Sequence, residues 1–137
     1  MDEVIRIENL SFDNPYPYEV FEDYLGSDLF LVYEVKGEGH EKEIVGYVIG
    51  KEEEDFGIII SLAVTPSYRS QGIGTLLMRA VLDTINRDHL FLTLRPSNKG
   101  TVNFYKKFDF VKIGKIKDYY RNGEDAIVME KRVDDKR

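Results

Sequence analysis

The stretch Ser61-Leu62-Ala63-Val64-Thr65-Pro66-Ser67-Tyr68-Arg69-Ser70-Gln71-Gly72-Ile73-Gly74-Thr75-Leu76-Leu77 changes character twice along its length. The apolar run Ile58–Val64 reads as a buried strand. It breaks at Thr65-Pro66, because proline has no N–H to donate to a ladder. Arg-x-x-Gly-x-Gly follows as Arg69 to Gly74, and from Ile73 onward the apolar residues fall at helical spacing. Strand, glycine-bearing turn and helix together present bare backbone N–H groups and a helix N-terminus to an anion. The stretch is not a Walker loop, since no Gly-Lys-Ser/Thr follows, and a dinucleotide fingerprint would need its third glycine where Leu77 stands. Pattern alone leaves two readings, a pyrophosphate cradle or a turn that packs a helix on a sheet.

Downstream, Ile73, Leu76, Leu77, Ala80, Val81 and Ile85 continue the i, i+3, i+4 pattern, predicting a helix from about Gly72 to Arg87. Leu90–Leu94 is a further short strand, so the order strand–helix–strand implies a right-handed parallel crossover. After Arg95-Pro96, Ser97 is placed to cap a helix running through Val102, Phe104, Tyr105 and Phe108. Asp109 ends it, since Asp tolerates the left-handed conformation better than most residues. Phe110–Lys117 and Ala126–Lys131 are the last predicted strands, and the loop between them carries turn chemistry at Asn122-Gly123.

Upstream, Leu29–Val35 and Ile44–Ile49 read as strands of a hairpin, with His40 at its polar, glycine-bearing turn. Lys51–Asp55 is a charge run, read as a solvated turn. Prolines hold Asn14 to Tyr16 extended, and positions 18, 21, 24 and 25 fit an amphipathic helix ending at Gly26. Val4, Ile5 and Ile7 with Arg6 and Glu8 suggest a short first strand, with helix entry as the alternative. Tyr16 and Tyr18 either line a substrate mouth or pack their helix onto the sheet.

Composition narrows the function classes. The 137 residues suit one domain, 1–137, with 42% hydrophobic and 32% charged residues, as in soluble globular proteins. There is no cysteine, hence no disulfide framework, thiol nucleophile or thiolate metal site, and two histidines do not make a His-rich metal centre. A net charge of −6 argues against general nucleic-acid affinity. No signal-peptide pattern and no apolar run of spanning length is evident, so the expectation is a cytoplasmic protein with no membrane partner.

Three features taken together resemble the GNAT superfamily of acetyl-CoA-dependent N-acetyltransferases. Arg69-Ser70-Gln71-Gly72-Ile73-Gly74 matches that family's (Gln/Arg)-x-x-Gly-x-(Gly/Ala) pyrophosphate motif. Leu92-Thr93-Leu94-Arg95-Pro96-Ser97-Asn98 is followed by Tyr105. The Phe108-Asp109-Phe110 exit and the loop Tyr119-Tyr120-Arg121-Asn122-Gly123-Glu124-Asp125-Ala126 look like the signature of RimI-like protein N-terminal acetyltransferases, the archaeal α-amino acetyltransferases included. Pro15-Tyr16-Pro17-Tyr18 resembles the same group's Pro-aromatic segment, and the similarity runs from about Phe12 to Lys131.

The resemblance implies an α+β, three-layer fold. Its mixed, mostly antiparallel sheet would have about six to seven strands, flanked by about four helices and splayed between two parallel central strands. It implies acetyl-CoA as co-substrate, with no metal. The pantetheine arm would pair with backbone of Leu62 and Val64 and bond Asn98, and the diphosphate would sit on Gln71, Gly72, Ile73, Gly74 and Thr75, with Arg69 supplying charge. By the same resemblance the N–H near Leu62 serves the oxyanion, Tyr105 faces the thioester sulfur as acid, and Tyr16, Tyr18, Tyr119 and Tyr120 wall the first residues of a protein or peptide acceptor. Ribosome association is a further expectation of that group.

The sequence departs from the group at Thr93, where a Glu or His commonly helps activate the amine; a threonine is no base at neutral pH. Ile58-Ile59-Ile60 also lacks the carboxylate that many family members place there. A water wire through Thr93 and Ser61 to Asp13, Glu19 or Glu124 would be the substitute. Gly100 inside the helix and Asp109, where the family usually has Gly, are milder departures. With a pKa near 7.7–8.0, roughly a tenth of an α-amine is neutral at pH 7, whereas lysine near 10.4 is under about a thousandth neutral. A site without a strong base therefore favours α-amines. Two alternatives stay open: an acetyltransferase for small-molecule amines, and an acetyl-CoA-binding regulatory module without turnover.

Overall fold

The computed structural model describes residues 1–12, 15–37, 39, 41–96 and 100–133. Among them are four α-helices, α1 Asp2–Ser11, α2 Tyr18–Glu22, α3 Ile73–Thr84 and α4 Thr101–Lys106. The strands are β1 Phe30–Lys36, β2 Lys42–Glu52, β3 Gly57–Val64, β4 His89–Leu94, β5 Val111–Ile116 and β6 Ala126–Arg132. They form one six-stranded sheet in the order β1-β2-β3-β4-β6-β5. β3 and β4 are parallel, in register from Gly57↔Leu90 to Ile59↔Leu92, while β1/β2, β4/β6 and β5/β6 are antiparallel. This is the mixed, mostly antiparallel sheet that the resemblance implies. Among the described residues no helix is long and apolar enough to cross a membrane.

The chain divides into two compact units. One comprises Met1–Gly50 with Ser61–Ile85, the other Lys51–Ile60 with Asn86–Arg137.

In the first unit the N-terminal segment is a helix, not the expected strand. A helical turn gathers Val4, Ile7 and Glu8 on one buried face, and Asp2 and Glu3 in the first turn complement the helix dipole. The alternation of Val4, Ile5 and Ile7 misleads because Ile5 lies off that face, half-buried. The next helix is shorter than its periodicity: α2 stops at Glu22, and turns carry the chain to Gly26 at φ 82°.

α3 buries Ile73, Leu77, Met78 and Val81, one stripe of its surface. It lies close to β2 because two glycines share that strand's facing side. A Cβ on Gly46 would stand 3.1 Å from Leu77 Cδ1, 3.3 Å from Ile73 Cγ2 and 3.3 Å from the Ala63 carbonyl oxygen. A Cβ on Gly50 would stand 3.0 Å from Val81 Cγ2 and 3.2 Å from Ile85 Cδ1. Residues 46 and 50 share a face because strand side chains alternate with period two.

In the second unit, Asn86 and Arg87 do not extend α3 as the apolar spacing suggested. The Asn86 N–H donates to Glu52 Oε2 at 2.7 Å, and Arg87 Nε donates to the Glu53 carbonyl at 2.8 Å. Ile85, at ψ 124°, turns the chain out of the helix toward these partners. The acidic run at 51–55 is thus partly engaged rather than wholly a solvated turn. α4 begins later than expected, with Gly100 at φ 91° as its N-cap rather than inside the helix; Ser97, the expected cap, lies outside the described residues. Asp109 adopts φ 71° at the helix exit, as its residue type suggested.

Gly46→Val should overpack the α3–β2 contact. The expected loss is about 1–3 kcal/mol of unfolding free energy, read from urea denaturation.

Candidate active site

In the first unit, β3 ends where Thr65 N–H donates to the Val45 carbonyl of β2 at 2.7 Å. A single 3-10 turn, Pro66–Tyr68, then leads to the glycine segment. Ser70 (φ 67°) and Gly72 (φ 83°) are both left-handed, which folds the backbone back before α3 starts. Gly72 is the N-cap of α3, and a Cβ there would meet nothing within 4 Å, so its hydrogen side faces open space. The first backbone rung of α3 is Leu76 N–H to the Gly72 carbonyl, 3.1 Å. The amides of Ile73, Gly74 and Thr75 precede it and have no acceptor within the helix. Exposed Gln71 and Gly72 with these amides make a backbone concavity suited to an anion.

Arg69 does more than carry charge. Its Nε donates to the Val64 carbonyl at 2.9 Å and its Nη2 to Ser11 Oγ at 3.0 Å, tying the end of β3 to the end of α1. Leu62 and Val64 are half-buried on the face opposite Ser61 and Ala63.

Behind that strand lies a group the sequence reading did not single out. Glu8, on α1, is fully buried. Its Oε1 accepts from the Tyr47 hydroxyl of β2 and from Ser61 Oγ of β3, the latter at 2.9 Å. Its Oε2 accepts from the Tyr16 N–H at 2.9 Å. The Tyr47 and Ser61 oxygens are themselves 3.0 Å apart, and Phe21 of α2 packs edge-on against the Tyr47 ring, centroids 5.8 Å apart. The signal for Glu8 was a carboxylate on the Val4–Ile7 stripe, visible only if the segment is taken as a helix. Ser61, expected to hold a water wire, donates its hydroxyl to this carboxylate. Of the expected distant acceptors, Glu19 is exposed, Glu124 is half-buried, and Asp13 lies outside the described residues. Of the two aromatic walls, Tyr16 is half-buried and Tyr18 is 45% exposed.

In the second unit, Tyr105 of α4 is buried, with Phe104 and Phe110 edge-on around its ring. Burial, and secondarily the neighbouring Tyr120, push its phenol well above the ordinary tyrosine range. Tyr105 is therefore an O–H donor at any physiological pH. Tyr120 is buried as well, so of the second pair only Tyr119 is exposed, at 46%, and it packs edge-on against Tyr120 with centroids 4.9 Å apart. The Tyr120 hydroxyl donates to Thr93 Oγ1 at 3.4 Å, and the Arg95 guanidinium lies over its ring, 4.6 Å from the centroid. The loop is closed by Tyr120 N–H to the Glu124 carbonyl (3.0 Å), Gly123 N–H to the Tyr120 carbonyl (2.8 Å) and Glu124 N–H to Asn122 Oδ1 (2.9 Å). Gly123 sits at φ 86°, which explains the Asn-Gly pair. Thr93 is thus a hydrogen-bond partner of Tyr120. Asn98, expected to bond the pantetheine arm, lies outside the described residues. Among the described residues, no three His, Cys, Asp or Glu side chains are grouped to hold a metal ion.

Comparison with known proteins agrees with this architecture. The sequence matches the Acetyltransferase (GNAT) family over residues 1–110. It is 34% identical to an N-alpha-acetyltransferase of Sulfurisphaera tokodaii, over 94% of this chain and 85% of that protein. The fold superposes on the crystal structure of Ard1 from Thermoplasma volcanium with a TM-score of 0.85 and 28% identity, covering 98% of this chain and 91% of that one. It also superposes on Arabidopsis thaliana Naa50, solved in complex with the bisubstrate analogue CoA-Ac-MVNAL, with a TM-score of 0.76 and 25% identity over 93% and 88% of the two chains. With four-fifths of its length matched by the family and an archaeal relative at this identity, the chain belongs to the GNAT family of acetyltransferases.

Proposed function

We propose that this protein, acting as one N-acetyltransferase domain over residues 1–137, moves the acetyl group of acetyl-CoA onto the N-terminal α-amino group of proteins or peptides. The observation that carries the reading is the strand–glycine turn–helix unit from Ser61 to Thr75, with its left-handed Gly72 and open approach to the α3 N-terminus. The name of the Sulfurisphaera relative and the peptide-bearing analogue held by the Arabidopsis protein support the α-amine as acceptor.

The chemistry is direct attack. The neutral amine nitrogen forms a bond to the thioester carbon, the carbon–sulfur bond breaks, the nitrogen loses a proton and the sulfur gains one. In this reading the amides of Ile73 to Thr75, with Gln71 and Gly72, hold the diphosphate, and backbone of Leu62 and Val64 orients the pantetheine arm. The Leu62 N–H meets the oxyanion, and Arg69 Nε donates to the Val64 carbonyl, holding the end of β3. Tyr105 donates a hydrogen bond to the departing sulfur. Its raised pKa makes it a poor source of a free proton, so it shares its proton with the thiolate while the amine's proton completes the exchange. Thr93, whose Oγ1 accepts from the Tyr120 hydroxyl, is no base at neutral pH. The amine therefore arrives already neutral, and that favours α-amines over lysine side chains.

Incubation with acetyl-CoA and a peptide library, read by mass spectrometry, should place the new acetyl group on N-terminal amines rather than on lysines. Acetylation confined to non-peptide amines would sink the proposal, as would tight acetyl-CoA binding without any transfer. Tyr105→Phe should lower kcat about tenfold or more while leaving the KM for acetyl-CoA unchanged. In the wild-type enzyme kcat/KM for the peptide should rise as the α-amine deprotonates near about pH 8 and stay level through pH 10, because Tyr105 does not ionise there. A descending limb below pH 10 assigned to Tyr105 would contradict its role. Gly72→Leu should weaken acetyl-CoA binding tenfold or more by calorimetry, through strain at positive φ and a side chain in the open approach.

A further inference from the structure

We infer that Glu8 is a positioning residue for the acceptor peptide, because one carboxylate holds both the strand that carries Leu62 and the segment that carries Tyr16. The inference rests on the functional reading above, in which Leu62 meets the oxyanion and Tyr16 and Tyr18 border the acceptor.

The two oxygens of Glu8 have different partners. Oε1 takes the hydroxyls of Tyr47 and Ser61, which lie on neighbouring strands β2 and β3. Oε2 takes the backbone N–H of Tyr16, eight residues further along the chain and outside any helix or strand. Ser61 directly precedes Leu62, so the carboxylate sits one residue from the amide assigned to the oxyanion. Three residues further along α1, Ser11 accepts from Arg69, which also holds the Val64 carbonyl. Helix α1 is thus fastened to both ends of the Ser61–Val64 segment, and Glu8 passes that reference on to the backbone at Tyr16.

A carboxylate at 0% exposure is costly unless its lone pairs are used, and an apolar side chain on the Val4–Ile7 stripe would pack α1 without that cost. What an apolar residue cannot do is accept an N–H from an irregular segment and hydroxyls from two strands at once. Attack by an amine on a thioester needs the reacting atoms in near-attack geometry, where a misplacement of about 1 Å can cost about a hundredfold, and a tie of this kind limits such displacement.

The alternative is a purely structural carboxylate, and the different partners of its two oxygens suggest variants that separate the two. Glu8→Gln leaves a single acceptor oxygen for donors on both sides, so the Tyr16 tie and the strand tie can no longer both be made in full. Tyr47→Phe removes one donor to Oε1 and leaves the Oε2–Tyr16 bond intact. Steady-state kinetics with an N-terminal peptide and acetyl-CoA, each varied in turn, should show the peptide KM raised tenfold or more in Glu8→Gln, with the acetyl-CoA KM within twofold of wild type. Tyr47→Phe should lower Tm yet keep the peptide KM within twofold. An unchanged peptide KM in Glu8→Gln, or parallel increases in both KM values in the two variants, overturns the inference. In the wild-type chain the Tyr16 amide should be protected from hydrogen exchange, and exchange at the rate of an open loop overturns the inference even if Glu8→Gln fails to fold. A wild-type chain inactive on every peptide N-terminus defeats the functional reading instead, and the exchange measurement still decides whether the tie exists.

Discussion

The approach of α3 to β2 over two bare glycines is the constraint that makes the candidate anion site possible. With no side chains at Gly46 and Gly50, the stripe Ile73, Leu77, Val81 and Ile85 lies directly on the strand, and the helix N-terminus is fixed just beyond the end of β3. Side chains of ordinary size at those positions would lift the helix and move the amides of Ile73 to Thr75 with it. The conspicuous glycine, Gly72, therefore depends on two inconspicuous ones. It supplies a left-handed turn and open space, while Gly46 and Gly50 decide where that turn is.

Hydrogen bonds around β3 perform a related service by fixing the strand's end and one of its faces. Arg69 occupies the Val64 carbonyl, Thr65 is held by Val45, and Ser61 is turned toward Glu8 on the face opposite Leu62 and Val64. The strand's two faces thus take separate duties, one bonded into the body of the unit and one left half-buried. In the second unit the same economy holds at Tyr105, Tyr120 and Thr93. Aromatic packing removes water from the Tyr105 phenol and keeps it protonated, while Tyr120 is engaged with Thr93 and Arg95.

Family membership answers what the chain does more firmly than any one side chain, and the side chains show which groups are already engaged. Neither the Thr93 position nor Ile58–Ile60 supplies a basic group, and the buried carboxylate that the fold does provide, Glu8, is committed to two hydroxyls and a backbone amide. An α-amine, about a tenth of which is neutral at pH 7, asks less of such groups than a lysine side chain would.

The sequence by itself determined the elements whose signals are local. Strand β3 and the turn at Thr65-Pro66, the apolar stripe of α3, the left-handed exit at Asp109 and the Asn-Gly loop all follow from periodicity or from one residue's backbone preference. Motif resemblance carried the mixed sheet and the family, because it summed several weak local signals over most of the chain. Only the tertiary structure decided what depends on partners distant in sequence. It made Val4–Glu8 helical by burying one face, and it ended α3 early because Asn86 and Arg87 find Glu52 and Glu53. It turned Tyr120 inward onto Arg95 and Thr93 and placed Glu8 at the junction of Tyr16, Tyr47 and Ser61. A carboxylate next to an apolar stripe reads as surface until donors 8, 39 and 53 residues away are brought within hydrogen-bond reach, and no local pattern encodes that meeting.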